Sequence, residues 1–245
     1  VLNMAFFGLF GRSPEQAIQK HAARLGNKRA QAQDRWESIK TLREMGNAAA
    51  VEALLQRFTY TSDPSITDQE EKEAACEAII AVGEPALGPI RDFLRKNDTL
   101  SWCLRMLRAL LEPEAVVGVL LELLDDMDTD YERDPQKKNQ VLAILEDTVD
   151  PRITDAALRF VDDVNETARF NAVGAVLAQA DAEMHRERLL QVLLAEESMR
   201  VRARILDGFI QAGWELGEAA ADVRKQLPTG YAIDARGKPR GPSRA

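Results

Sequence analysis

Asp68-Gln69-Glu70-Glu71-Lys72-Glu73-Ala74-Ala75-Cys76-Glu77-Ala78-Ile79-Ile80-Ala81-Val82-Gly83 is a sixteen-residue stretch that ends on glycine, with small or apolar side chains at its eighth, eleventh and twelfth positions. Stretches of the same length and character begin at Gln31, Thr99, Asp134, Asn165 and Ser198. The six starts are spaced by 37, 31, 35, 31 and 33 residues. A period in that range marks stacked repeats. The fifth position is Arg35, Lys72, Cys103, Lys138, Arg169 and Arg202, so it is basic in every stretch except the third.

Each stretch is followed by a second amphipathic segment, at 48–58, 85–94, 113–124, 153–161, 182–194 and 216–227. The boundaries carry helix punctuation. Gly46, Gly83 and Gly213 stand where a first helix needs a left-handed closing residue, and Pro85 and Pro113 occupy first-turn positions that need no N–H donor. Thr67 and Glu70 have capping-box spacing. A helix pair alone leaves an apolar face uncovered, so six pairs are expected to stack into one core over residues 31–227.

These first-helix residues resemble the HEAT-repeat family, most closely the short bacterial HEAT-like repeats of the phycobilisome-lyase type. The resemblance covers about residues 31–227. It implies an all-α, right-handed α-α superhelix, and it implies a protein that binds a protein partner on its concave face, because fold alone does not fix chemistry. A lyase-like enzyme acting on a chromophore or protein side chain is the alternative that the same resemblance carries.

Composition agrees with helix. Of 245 residues 45% are hydrophobic and only 6% aromatic, with long stretches of Ala, Leu, Glu, Arg and Val. The two cysteines, Cys76 and Cys103, lie inside helical patterns and read as reduced thiols of a cytoplasmic protein. No apolar run reaches the roughly 18 residues of a membrane-spanning helix.

The formal net charge of −8 conceals a segregation. Residues 1–43 carry eight Lys/Arg against three Asp/Glu, and residues 224–245 carry six against one, which makes each end +5 and leaves −18 on the body between them. Such a body repels nucleic acid and favours a partner with a basic surface. DNA glycosylases on HEAT-like repeats clasp DNA with basic faces, which this body lacks.

Chemical motifs fail individually. Asp126-x-Asp128-x-Asp130-x-Glu132 opens like a calcium loop, yet Tyr131 takes the glycine position and Lys137 the place of the bidentate Glu. The two histidines, His21 and His185, sit in no His-Glu pair of the kind iron-binding HEAT hydroxylases use, and neither has a Ser or Cys motif beside it. No nucleotide-binding glycine pattern occurs. No catalytic residue, metal ligand or cofactor is expected.

The third repeat has the bulkiest inward stripe, Trp102, Met106 and Leu110, and its second helix, Ala115 to Leu124, is apolar over roughly 200° of arc, which reads as buried core. On the polar side of the second helices, Arg91, Arg95, Glu122 and Arg159 are the candidate partner contacts.

The ends are distinctive. Phe6, Phe7, Leu9 and Phe10 precede a helix over 14–25 that is capped by Ser13 and closed by Gly26, with Lys20, His21 and Arg24 off its apolar face. This 1–30 segment is read as a cap on the first repeat, with peripheral membrane or partner docking through the four apolar side chains as the other possibility. Residues 228–245 read as a basic, disordered tail.

Overall fold

In a computed structural model, which describes residues 13–242, the chain is all-α. Thirteen α-helices, short 3-10 turns and one two-stranded hairpin make up its regular structure among the described residues. It divides into two compact units between Val116 and Val117, inside the stretch expected to form a single domain.

In the first unit, α1 (Pro14–Leu25) starts at a complete capping box: the Ser13 hydroxyl accepts the Gln16 N–H at 3.2 Å, and the Gln16 side chain accepts the Ser13 N–H at 3.3 Å. It packs on both α2 (Ala32–Met45) and α3 (Ala48–Leu55), covering the first helix pair with the buried Leu25. Helix α2 packs on α4 (Ser65–Val82), α4 on α6 (Leu100–Leu110), and α3 on α5 (Leu87–Lys96), so first and second helices form two rows. Gly46 supplies the left-handed closure of α2 at φ 55°. The Thr67–Glu70 box does not form. Helix α4 begins three residues earlier, behind Pro64, whose φ of −73° suits the position before a helix, and this places Thr67 inside the first turn.

Helix α7 (Pro113–Asp125) contains the unit boundary. Val116, Val117, Val119, Leu120, Leu123 and Leu124 are all buried, Leu120 at 1% exposure, as the wide apolar arc requires. In the second unit α8 (Gln136–Glu146) packs on α10 (Glu166–Leu177), and α10 packs on α9 (Pro151–Leu158) and α12 (Met199–Ala212). Helix α11 (Arg186–Ala195) packs on α12 and on the short α13 (Ala220–Val223).

The repeated basic position turns out to join successive repeats. Arg35 grips Glu71 through Nε and Nη2 at 2.7 and 3.0 Å, and its Nη1 donates to the carbonyl of Ala30. Lys138 reaches Asp163 at 2.8 Å and the carbonyl of Asp128 at 2.8 Å. Arg169 forks onto Glu196 at 2.7 and 2.9 Å and donates to the carbonyl of Asp163. Arg202 has only carbonyls, those of Leu193, Glu196 and Gln226. Each cation thus ties the loop before its own helix to a group about one repeat further on. A buried cation costs much unless it is paired or hydrogen-bonded; Arg35, Lys138 and Arg169 each have a carboxylate and a carbonyl, Arg202 has carbonyls alone, and that requirement helps to fix the register between helix pairs. Cys103 cannot make such a tie. Lys72 turns back to Asp68 on its own helix at 2.8 Å, and Glu71 beside it is shared by Arg35 and the fully buried Arg57, each at 2.7 Å.

The C-terminal segment differs from the expected disordered tail. Residues 232–233 (β1) and 239–240 (β2) form an antiparallel hairpin that packs on α12. Asp234, the one acid among residues 224–245, organises the turn by accepting the N–H groups of Arg236 and Lys238 at 2.9 and 3.0 Å. Leu216 donates to the carbonyl of Gly237, and the Tyr231 hydroxyl donates to Asp207 Oδ1 at 2.7 Å. Composition alone misled because three local anchors, Tyr231, Asp234 and the buried Pro239, outweigh the charge.

Candidate partner-binding surfaces

The four sequence-chosen contacts are divided between the two units. Arg91 and Arg95 are one turn from each other on α5 in the first unit; Arg95 is exposed and pairs with Asp92 at 3.5 Å, whereas Arg91 is half-buried with its Nε shut away from any acceptor. Glu122 is exposed on α7 in the second unit. Arg159, just past α9, is drawn to Asp125 at 2.9 Å and lies over the Phe160 ring. Phe6, Phe7, Leu9 and Phe10 lie outside the described residues.

A different surface collects apolar and acidic groups together. In the second unit the loops that lead into α8, α10 and α12 form one continuous edge: the Val164 N–H donates to the carbonyl of Thr129 at 3.1 Å, and a cleft of about 330 Å³ opens between Val164, Arg169, Ala195 and Glu197. Each loop or following helix start holds one large apolar side chain out in solvent, Tyr131 at 85% exposure, Val164 at 58% and Met199 at 49%. Around them stand Asp126, Asp128, Asp130, Glu132, Asp134, Asp162, Glu166 and Glu197, with Arg133 and Arg200 the basic side chains of those stretches. Beneath, Asp163 and Glu196 are buried and spent on Lys138 and Arg169. Burial by itself would raise the Glu196 carboxyl, yet the Arg169 fork and the Ser198 N–H hold it below its ordinary pKa.

Another cleft lies on the row α8, α10, α12. Glu146 of α8 and Arg204 of α12 are two helices apart and pair across Gly174 of α10, where a Cβ would overlap both side chains. The cleft beside this pair holds about 280 Å³ and is lined by Asp147, Asp207, Gly208 and Gln211 as well. Phe170 lies under two guanidinium groups, Arg200 at 3.9 Å and Arg204 at 5.0 Å. Sequence reading missed this site, whose signal is a helical glycine in each of two neighbouring first helices, Gly174 and Gly208, at positions where the earlier repeats carry larger residues.

Nothing in these surfaces assembles a reactive constellation. His21 Nδ1 is 3.0 Å from Ser38 Oγ, and burial lowers its pKa, with Arg24 and Lys20 adding to the effect. His185 lies 3.7 Å from Asp181. Among the described residues no group of three His, Cys, Asp or Glu side chains is placed to hold a metal ion, and no helix is long and apolar enough to cross a membrane. No protein-family model, curated protein or solved structure matches this chain.

Proposed function

We propose that the chain is a non-enzymatic scaffold or adaptor, a HEAT-like solenoid working in the cytoplasm, that holds a protein partner with a basic surface. The observation that carries this reading is the loop edge of the second unit, where exposed Tyr131, Val164 and Met199 alternate with unburied carboxylates. Large apolar side chains held in solvent beside one sign of charge are what a partner interface requires: the apolar groups give affinity once covered, and the acids steer a basic surface into place. The solenoid part of the reading is supported by the two rows of helices in the first unit, the row α8, α10, α12 in the second, and the cation ties at repeat intervals. The cytoplasmic part is supported by two buried cysteines that are in no disulfide.

A photo-crosslinking residue in place of Tyr131, with the same residue in place of Arg95 as reference, tests this in the native host. The reading requires a crosslinked basic protein from position 131 whose yield falls when Asp130, Asp162 and Glu197 are replaced by their amides. Crosslinking from position 95 alone, or yield indifferent to the amide replacements, overturns it.

A further inference from the structure

We propose that the loop edge of the second unit, when the protein is alone, is occupied by a second copy of this chain, which presents the exposed stripe of its α2. This rests on the reading of that edge as a receptor for a basic surface, and it names the surface that fills the edge until a stronger basic partner displaces it. Helix α2 buries Arg35, Ser38, Ile39 and Leu42. Gln33, Trp36, Lys40 and Arg43, three, four and three residues apart, share another face and are all exposed. Lys28 and Arg29 stand exposed just before the helix. Among the described residues, the side chains of Lys28, Arg29, Lys40 and Arg43 take part in no ion pair or hydrogen bond. Of the acids on α2, Asp34 and Glu37 face Arg24 at 3.7 and 3.9 Å, which leaves Glu44 against four cations.

The two surfaces are complementary. Trp36, at 39% exposure, and Tyr131 are the exposed aromatic side chains among the described residues. Trp36 stands among cations without acids, and Tyr131 lies on the edge where Asp130 and Glu197 are acids without cations. Their lengths match as well. The 14 residues of α2 rise about 21 Å, and three loops set by helices packed about 8–10 Å apart span roughly 16–20 Å. An indole covered by Val164 and Met199 supplies the affinity, while the cations along the stripe steer it to the acids of the edge. One copy carries both surfaces, so two copies dock reciprocally or copies add head to tail. Either way each contact joins the α2 of one copy to the edge of another.

The test is sedimentation of the purified full chain over a wide concentration range, with two charge-reversed variants: Lys40→Glu with Arg43→Glu on the stripe, and Asp130→Lys with Glu197→Lys on the edge. The parent protein should associate as concentration rises, and less so at high salt. Each variant alone should associate at least about tenfold more weakly, because facing charges then repel. An equimolar mixture of the two should recover, since the reversed stripe of one meets the reversed edge of the other. Trp36→Ala should weaken the parent's association by about tenfold or more. A parent protein that stays monomeric overturns the self-docking, even if its stripe binds phosphatidylserine vesicles or single-stranded DNA, and leaves the partner reading to the crosslink from position 131. Association indifferent to Trp36→Ala or to either reversal, or a mixture that does not recover, also overturns it. Recovery in the mixture, with no basic protein captured in the host, upholds the self-docking and overturns the partner reading.

Discussion

Asp163 and Glu196 perform the same two tasks one repeat apart: each carboxylate receives the cation of the preceding repeat, Lys138 or Arg169, while each backbone carbonyl receives the cation of its own, Arg169 or Arg202. A single junction residue therefore serves two ties, and loss of its side chain leaves the buried Lys138 or the largely buried Arg169 without its carboxylate.

Asp163→Ala should cost about 3–5 kcal/mol, because it leaves Lys138, 1% exposed, without its principal counter-charge. Lys138→Met with Asp163→Asn should recover most of that loss, since the buried charge goes and the Asn side chain can still accept the Asn165 N–H. Urea unfolding of the two variants beside the parent protein checks this. Equal losses in the single and double variants would show that the pair contributes nothing specific.

Acid should weaken the first unit in a defined direction. Burial alone would raise the pKa of Asp68, but Lys72, Arg57 and the Ser62 N–H hold its carboxyl well below the ordinary carboxylate range. The folded state therefore binds this proton more weakly than the unfolded state does. The contribution is fully present above the unfolded pKa of about 3.9 and declines as pH falls below it. Asp68→Asn should show a shallower loss of stability between neutral pH and about pH 3 than the parent protein, measured by urea titration across that range.

At alkaline pH the sign reverses. Burial and the bond to Asp207 push the Tyr231 hydroxyl up to about 12. The folded state retains the proton longer than the unfolded chain, so the contribution is complete below the ordinary tyrosine pKa of about 10 and is lost as pH rises through the folded value. Burial also raises the Tyr60 hydroxyl, so phenolate absorbance should show Tyr60 and Tyr231 both titrating late, and Tyr231→Phe should remove the Tyr231 part of that late step. Amide exchange of residues 232–240 should be faster in the Phe variant at neutral pH, because the hairpin loses its bond to α12.

The two helical glycines should respond oppositely to alanine. At Gly174 a Cβ meets only the flexible ends of Glu146 and Arg204, which can swing aside, and the gain of about 1 kcal/mol in helix propensity compensates. At Gly208 it meets the branched end of Leu177, packed between helices, and overpacking of that kind costs about 1–3 kcal/mol. Melting of both variants should show Gly174→Ala near the parent and Gly208→Ala below it, with Leu177→Ala restoring part of the difference. A large loss at Gly174 would mean the ion pair is fixed in place.

Much of the helical organisation was legible because it rests on local signals. The spacing of the sixteen-residue stretches located α2, α8, α10 and α12, and Ser13 and Gly46 act as their residue types demand. The basic fifth position was visible as a pattern, but its partners were not: Glu71, Asp163 and Glu196 stand 36, 25 and 27 residues from Arg35, Lys138 and Arg169, and no periodicity distinguishes them from the many exposed acids nearby. Arg57 was hidden for the same reason, being a charged residue in an amphipathic segment that looks solvated until four partners surround it. The C-terminal hairpin escaped because charge and glycine content dominate short segments, whereas a few anchoring contacts decide them.

The ties that cross each junction also determine how this protein can be cut. A fragment that ends with α9 keeps Lys138 but discards Asp163, and one that ends with α11 keeps Arg169 but discards Glu196, so division at helix ends exposes a cation that was built to be enclosed. Extending the first past Asp163 or the second past Glu196 retains each cation with its acid. The portable segment is therefore offset from the helix pair, running from one acidic junction residue to the next.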